Sequence, residues 1–222
     1  MSTFEAGAER LAPRVWGSRL SARRRSPGGE DHAPDVGGDE YSEGVPNSVK
    51  GHERRTLTET NPTAPQKILY IDMDNTLVDF TSAFALVDPA LLVKHEKHKD
   101  DIPGIFALMQ PLPGAIEAVH RLAASFDVYV LSTAPWDNPS AWHDKVQWIR
   151  DQFGAAKTSP LYKRLILSHH KNLNRGDFLV DDRPHANGVN RFHEHGGEVI
   201  HFGPEGTHQT WAEVVEYLEA RA

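Results

Sequence analysis

The sequence predicts an α/β domain built as a Rossmann-like parallel sheet with flanking helices and a small helical cap insert. Three observations predict it. From Lys67 onward, short apolar runs alternate with stretches of helical periodicity, the arrangement that gives a parallel sheet with crossover helices. Acids or hydroxyls follow directly on three of those runs, where open α/β sheets gather their ligands. The length of 222 residues suits one full α/β domain with a smaller appendage.

Residues 1–66 differ in texture from the rest. Arg23-Arg24-Arg25, Pro27-Gly28-Gly29 and Gly37-Gly38 are interspersed with acids, and few apolar residues recur periodically, so a disordered extension is expected here. Its opening is Arg-rich like a transit peptide, but Glu5 and Glu9 lie inside it and such peptides avoid acids. A solvated extension, or a start codon placed too far upstream, accounts for it better.

The domain is expected over 67–222. Its strands are read at Ile68 to Met73, Val128 to Ser132, Leu165 to Leu167, Phe178 to Val180 and Val199 to Phe202. Pro113-Gly114 opens a helix whose Ile116, Val119 and Leu122 share one face. Ser140 is a cap candidate for the next helix, with Trp142, Val146, Ile149 and Phe153 as its apolar stripe and Gly154 as its stop. Thr210 and Glu213 form a capping box ahead of Trp211, Val214, Val215 and Leu218. Residues 80–112 fit this alternation less well. A helical stretch from Ala90 to Lys99 and a loop with Pro103 and Gly104 are expected to form a lid over the strand ends.

Composition excludes several functions. With no cysteine there is no disulfide, no thiolate zinc site and no cysteine nucleophile. Residues 67–222 carry 15 Lys+Arg against 21 Asp+Glu, so no basic stripe is available for a nucleic-acid polymer. No apolar run approaches the roughly 18 residues that a membrane helix needs, so no membrane partner and a cytoplasmic location are expected. Neither GxxxxGK nor GxGxxG occurs, which argues against a nucleoside triphosphate or dinucleotide cofactor. The thirteen histidines, including His169-His170 and His193 with His195, lack cysteine partners or a helical HExxH and are left without a role.

Three signals carry chemistry. Asp72-Met73-Asp74-Asn75-Thr76 follows the first strand, and where a strand frays into a loop two carboxylates at i and i+2 can reach one ion. Hard oxygen ligands select Mg²⁺, which accepts a phosphate oxygen, and a carboxylate is a competent phosphoryl acceptor. Taken alone, turn chemistry also explains these residues. Ser132-Thr133 closes the second strand, where hydroxyls and free N–H groups suit phosphate as well as an ordinary cap. Asp181-Asp182 closes another strand ten residues after Lys171, and adjacent acids there repel unless a cation is near. Phosphate charge also needs a lysine, for which Lys171 and Lys145 are the candidates.

In order, these motifs resemble the haloacid dehalogenase-like phosphatases, and within them the 5'(3')-deoxyribonucleotidases in a short bacterial-type form. The resemblance covers about residues 67–222 and rests on Asp72-Met73-Asp74-Asn75-Thr76-Leu77-Val78-Asp79-Phe80, Leu131-Ser132-Thr133-Ala134-Pro135 and Leu179-Val180-Asp181-Asp182-Arg183-Pro184. It implies a Mg²⁺-dependent phosphatase with Asp72 as nucleophile and Asp74 as general acid and then base. It further implies Asp72, the Asp74 carbonyl and Asp182 around the metal, with Asp181 orienting its neighbours. Ser132, Thr133, Lys145 and Lys171 then hold the phosphate, and Phe80 meets the nucleobase. The insert is shorter than in the animal nucleotidases, where it supplies much of the base pocket. A small phosphomonoester, a deoxynucleotide above others, is the expected partner, and a homodimer is compatible with this reading. Two alternatives remain at this stage: a phosphatase for sugar phosphates, and a phosphoryl-accepting receiver or silent binding module. Receivers lack a second carboxylate two residues after the acceptor, so Asp74 discriminates.

Overall fold

The computed structural model describes residues 65–222, and the expected N-terminal extension lies outside the described residues. The elements run in the order β1 (Ile68–Ile71), β2 (Val78–Asp79), α1 (Pro89–Lys94), β3 (Gln110–Pro111), α2 (Ala115–Leu122), β4 (Asp127–Ser132), α3 (Ser140–Phe153), β5 (Leu165–Leu167), β6 (Phe178–Asp181), β7 (Glu198–His201) and α4 (Trp211–Glu219). Short 3-10 segments fill several connections, among them Phe80–Leu86, Lys99–Asp101, Ile105–Ala107, Lys171–Leu173 and Val189–His195.

Among the described residues, five parallel strands form one sheet in the order β5-β4-β1-β6-β7, and β2 pairs with β3 as a small antiparallel ribbon. The apolar runs produce this sheet because a parallel strand covered on both faces is apolar at nearly every position. Leu69 and Ile71 enter one cluster with Val128, Val130, Phe178 and Val180, to which α2, α3 and α4 add their apolar faces. Tyr70 points to the opposite side and packs with Leu131, Leu179, Val189 and Phe192, as the two-residue period of a strand requires. The chain steps from β1 outward to β4 and β5, then returns to β6 on the other side of β1. That reversal opens a crevice at the carboxyl ends of β1 and β6.

The strands lie where the apolar runs place them, β5 at the bounds read and the others shifted at an end by a residue or two. β1 stops at Ile71, and Met73, although fully buried, belongs to the following turn, whose carbonyl receives the N–H groups of Leu77 and Val78. The capping box is present: Thr210 Oγ1 accepts from Glu213 N, while Glu213 Oε2 accepts from Thr210 N. Trp211, Val214, Val215 and Leu218 are buried behind it.

Two helices depart from expectation. The stretch read as Ala90 to Lys99 is helical only over Pro89–Lys94, capped by the Asp88 carboxylate and closed by the His95 N–H on Leu91 O. None of its residues is fully buried, so no packing extends it past the last turn. In α3 the buried face is Ala141, Asp144, Lys145, Trp148, Ile149 and Phe153, and Trp142 and Val146 are exposed. An apolar stripe misplaces this face because two of its inward positions are charged. Ser140 is the first helical residue rather than a cap; its hydroxyl bonds Asn138 Oδ1 and receives the Gly104 N–H.

Candidate active site

The ends of three adjacent strands place the predicted residues around one crevice. Asp72 follows β1 and its N–H donates to Val180 O on β6 at 2.8 Å. Its carboxylate is 1% exposed. Lys171 Nζ lies 2.8 Å from Asp72 Oδ1 and 2.6 Å from Asp181 Oδ2, so one buried ammonium joins the acids after β1 and at the end of β6. Asp181 Oδ1 also accepts the Arg183 N–H, which leaves both of its oxygens engaged.

A second lysine serves the other half of the site. Lys145 reaches inward from α3 and Nζ donates to Asp74 Oδ2 at 2.6 Å, Ser132 Oγ at 2.8 Å and Thr133 O at 2.7 Å. The Phe106 ring centre is 4.8 Å from that ammonium, a favourable cation–π position. Thr133 Oγ1 is turned away and donates to Ser168 O. Asp182 carries Asn75 Nδ2 at 3.5 Å on Oδ2, with the Arg183 Nε 3.8 Å from Oδ1. Behind the first loop, Trp211 Nε1 donates to Thr76 O and ties α4 to the turn that carries both aspartates.

Three carboxylate oxygens in this crevice are buried with no hydrogen-bond partner: Asp72 Oδ2, Asp74 Oδ1 and Asp182 Oδ1. Buried acceptors without partners are costly, and their convergence asks for a cation or a donor. Ligand atoms of Asp72, Asp181 and Asp182 all lie within 4.8 Å of one another, forming a set able to hold a divalent metal. Within that set Asp72 and Asp182 each retain an unpartnered oxygen, which fits a hard ion that takes few carboxylates and keeps the rest of its shell for water and phosphate. The Asp74 carboxylate is outside this group and engages Lys145 instead.

Electrostatics separate the acids. Burial pushes Asp72 upward, but Lys171 and Lys145, with hydrogen bonds from Lys171 and the Met73 N–H, outweigh it and hold Asp72 below the ordinary carboxylate value. Burial raises Asp74, Lys145 opposes that, and the charge of Asp72 adds to it, so Asp74 sits above the ordinary value. Asp181 is pushed up to about 7 by burial and by Asp72, against Lys171, and Asp182 to about 6 by the same two causes. Burial lowers Lys171, yet Asp72 and Asp181 raise it overall, so it remains charged. Two neighbouring carboxyls driven in opposite directions are the pattern from which an ionised nucleophile and a proton-holding acid are read.

A cavity of about 500 Å³ opens over this cluster, lined by Asp74, Phe80, Phe106, Thr133, Trp136 and His169 among others. Phe80 is partly buried against Phe84 and Phe106, whereas Trp136 is 81% exposed at the rim. Trp136 and Phe106 line the cavity without having been singled out from sequence, and so do His169, which had been left without a role, and Arg183, quoted only within the third motif. For Trp136 a signal was present: it directly follows the second motif in an otherwise polar loop.

A family model described as "5' nucleotidase, deoxy (Pyrimidine), cytosolic type C protein" matches residues 85–222. A protein of Vibrio phage KVP40 with the provisional name 5'(3')-deoxyribonucleotidase is 49% identical over 151 residues, 68% of this chain and 84% of its own. The chain belongs to the 5'(3')-deoxyribonucleotidase family. It is accordingly a phosphatase acting on phosphomonoesters. A Bordetella bronchiseptica protein of the same provisional name is 37% identical over 90 residues, 40% of this chain and 46% of its own length. Among solved structures, a Bacillus subtilis HAD-hydrolase bound to magnesium overlaps 69% of this chain and 99% of its own at a TM-score of 0.47 and 14% identity. No helix among the described residues is long and apolar enough to cross a membrane.

Proposed function

We propose that the protein dephosphorylates cytoplasmic deoxynucleoside monophosphates, with Mg²⁺, through an aspartyl-phosphate on Asp72. The observation that carries this reading is the pairing of two acids two residues apart, one held ionised by lysines and one held above its ordinary value. In the first displacement the Asp72 carboxylate attacks phosphorus while the bond to the ester oxygen breaks. Asp74 gives its proton to that leaving oxygen. In the second, Asp74 takes a proton from water, the water oxygen attacks the aspartyl-phosphate, and Asp72 is regenerated with release of inorganic phosphate. Lys145 and Lys171, with the Ser132 hydroxyl and the Thr133 backbone, would meet the phosphate charge.

Asp72 and Asp182, with the Asp74 carbonyl, would hold the ion, and Asp181 would keep Lys171 and the Arg183 N–H in register. Bound Mg²⁺ supplies positive charge that offsets the acids and the phosphate oxygens. The insert of residues 80–112 serves as the cap, and the rings of Phe80 and Trp136 bordering the cavity suit the flat aglycone of a nucleotide better than a bare sugar. The test is a phosphate-release screen of purified protein across deoxy- and ribonucleoside monophosphates and sugar phosphates, with Mg²⁺ and with chelator. Release from sugar phosphates alone would overturn the nucleotide assignment, and release undiminished by chelator would overturn the metal.

A further inference from the structure

Asn138 is buried to 1% exposure although it lies in a loop, where polar side chains ordinarily face water. Its whole amide is in use. Nδ2 donates to Asp100 O at 2.8 Å and Ile102 O at 3.0 Å, and Oδ1 accepts from Ser140 Oγ at 2.7 Å. Ser140 Oγ in turn accepts the Gly104 N–H at 2.8 Å. Asp100, Ile102 and Gly104 belong to the insert, whereas Asn138 and Ser140 lie on the run from β4 into α3. Asn138 and Ser140 therefore join two banks of one cleft: the insert, with Asp100, Asp101 and Phe106, and the loop with Thr133 and Trp136.

The insert is held by such joints as well as by its buried Ile102, Ile105, Phe106 and Met109. Its Lys99–Asp101 turn buries none of its own residues, and a 3-10 segment this short has little cohesion by itself. Farther along the same seam Trp148 Nε1 on α3 donates to Met109 O at 2.8 Å. A side chain that satisfies two insert carbonyls and one hydroxyl at once fixes distance and angle together, which a purely apolar contact does not.

We propose that Asn138 is a positioning residue: it fixes the width of the substrate cleft by latching the insert to the loop that leads into the Lys145 helix. This rests on the reading of that cleft as the nucleotide site. At the phosphate end Lys145 keeps three hydrogen bonds from outside the insert, to Asp74, Ser132 and Thr133, and its contact with the insert is the Phe106 ring. Loosening the latch therefore acts on the nucleoside end.

The experiment compares the full chain with Asn138→Ala, Asn138→Asp and Ser140→Ala. It reads kcat and KM for a deoxynucleoside monophosphate, inhibition by inorganic phosphate, and amide exchange in residues 99–104. For Asn138→Ala, KM rises about tenfold while kcat and phosphate inhibition change by less than about twofold, and exchange in 99–104 accelerates. Asn138→Asp, which sets a carboxylate against two carbonyls, does at least as much, and Ser140→Ala moves the same readouts less. A lowered kcat at unchanged KM, as from a smaller folded fraction, would overturn the latch, and so would unaltered exchange in 99–104. If the unmodified protein hydrolyses no deoxynucleotide, the nucleotide reading falls, and the exchange comparison alone decides whether the latch exists.

Discussion

Replacing Asp74 with Asn isolates proton transfer from everything else the site does. Asp74 Oδ2 lies 2.6 Å from Lys145 Nζ, and Oδ1 is buried without a partner. An amide of the same shape still accepts from Lys145, so the lysine stays beside Ser132 and Thr133, and only the transferable proton is lost. Loss of general acid–base help slows turnover by roughly two to four decades, or about 2.7–5.4 kcal/mol of barrier. Two substrates divide that loss. The alkoxide of a deoxynucleoside needs a proton to leave, whereas p-nitrophenolate leaves unaided. Transfer to Asp72 from the nucleotide should therefore fall by the full amount, and from p-nitrophenyl phosphate by about tenfold or less. Hydrolysis of the aspartyl-phosphate slows equally for both, so stopped-flow absorbance should show a burst of p-nitrophenolate equal to the enzyme concentration. Equal slowing of the first step for both substrates would refute the acid role. A turnover within about threefold of the parent would remove Asp74 from the chemistry altogether.

Lys171→Met leaves Asp72 and Asp181 buried without the ammonium they share, which should lower stability in urea by about 3–5 kcal/mol; a loss under about 1 kcal/mol would mean that the acids relax into water. Asp181 and Asp182 have folded values of about 7 and about 6 against 3.8, so their ionisation opposes folding: the penalty is absent below about pH 4 and complete above about pH 7. The metal-free protein should thus lose stability as pH rises through that window, with Asp182 contributing on the order of 2 kcal/mol after screening. Added Mg²⁺ should raise the melting temperature more at pH 8 than at pH 5, and an equal shift at both would contradict the assigned ligands. Trp136→Ala should raise KM for deoxynucleotides by about tenfold, from a stacking contribution of roughly 1–3 kcal/mol, and leave sugar phosphates unchanged; equal effects on both would deny the ring a base.

The strand ends at the site were legible because three of the apolar runs are followed by acids or hydroxyls, which have little reason to be buried except a shared charge problem. Asp72, Asp181 and Lys171 illustrate it: their spacing along the chain is arbitrary, but two neighbouring strands, β1 and β6, and the 3-10 segment ahead of β6 bring them within hydrogen-bond range. The terminal helix was legible because its cap is local, with Thr210 and Glu213 closing on each other. The face of α3 was not, since Lys145 is inward because Asp74, Ser132 and Thr133, distant in sequence, receive it. Ordinary amphipathic periodicity assigns such a lysine to solvent. The insert was unreadable in detail for a related reason: the segment from Asp100 to Gln110 follows hydrogen bonds with Asn138, Ser140 and Ser82 rather than a period in its own residues.

The strand that leads to Asp72 lies at the middle of the sheet, paired on both sides, with Ile71 opposite Val130 and Val180. Local opening in a folded protein begins at margins and thinly packed segments, and the best-supported strands open last. The carboxylate proposed as the nucleophile is therefore attached to the portion of the molecule expected to survive longest under heat or denaturant. The cap wall includes the Lys99–Asp101 turn, which buries none of its own residues and should give way earlier. A partly damaged copy of this protein should lose its hold on the nucleoside well before it loses the ability to accept a phosphoryl group.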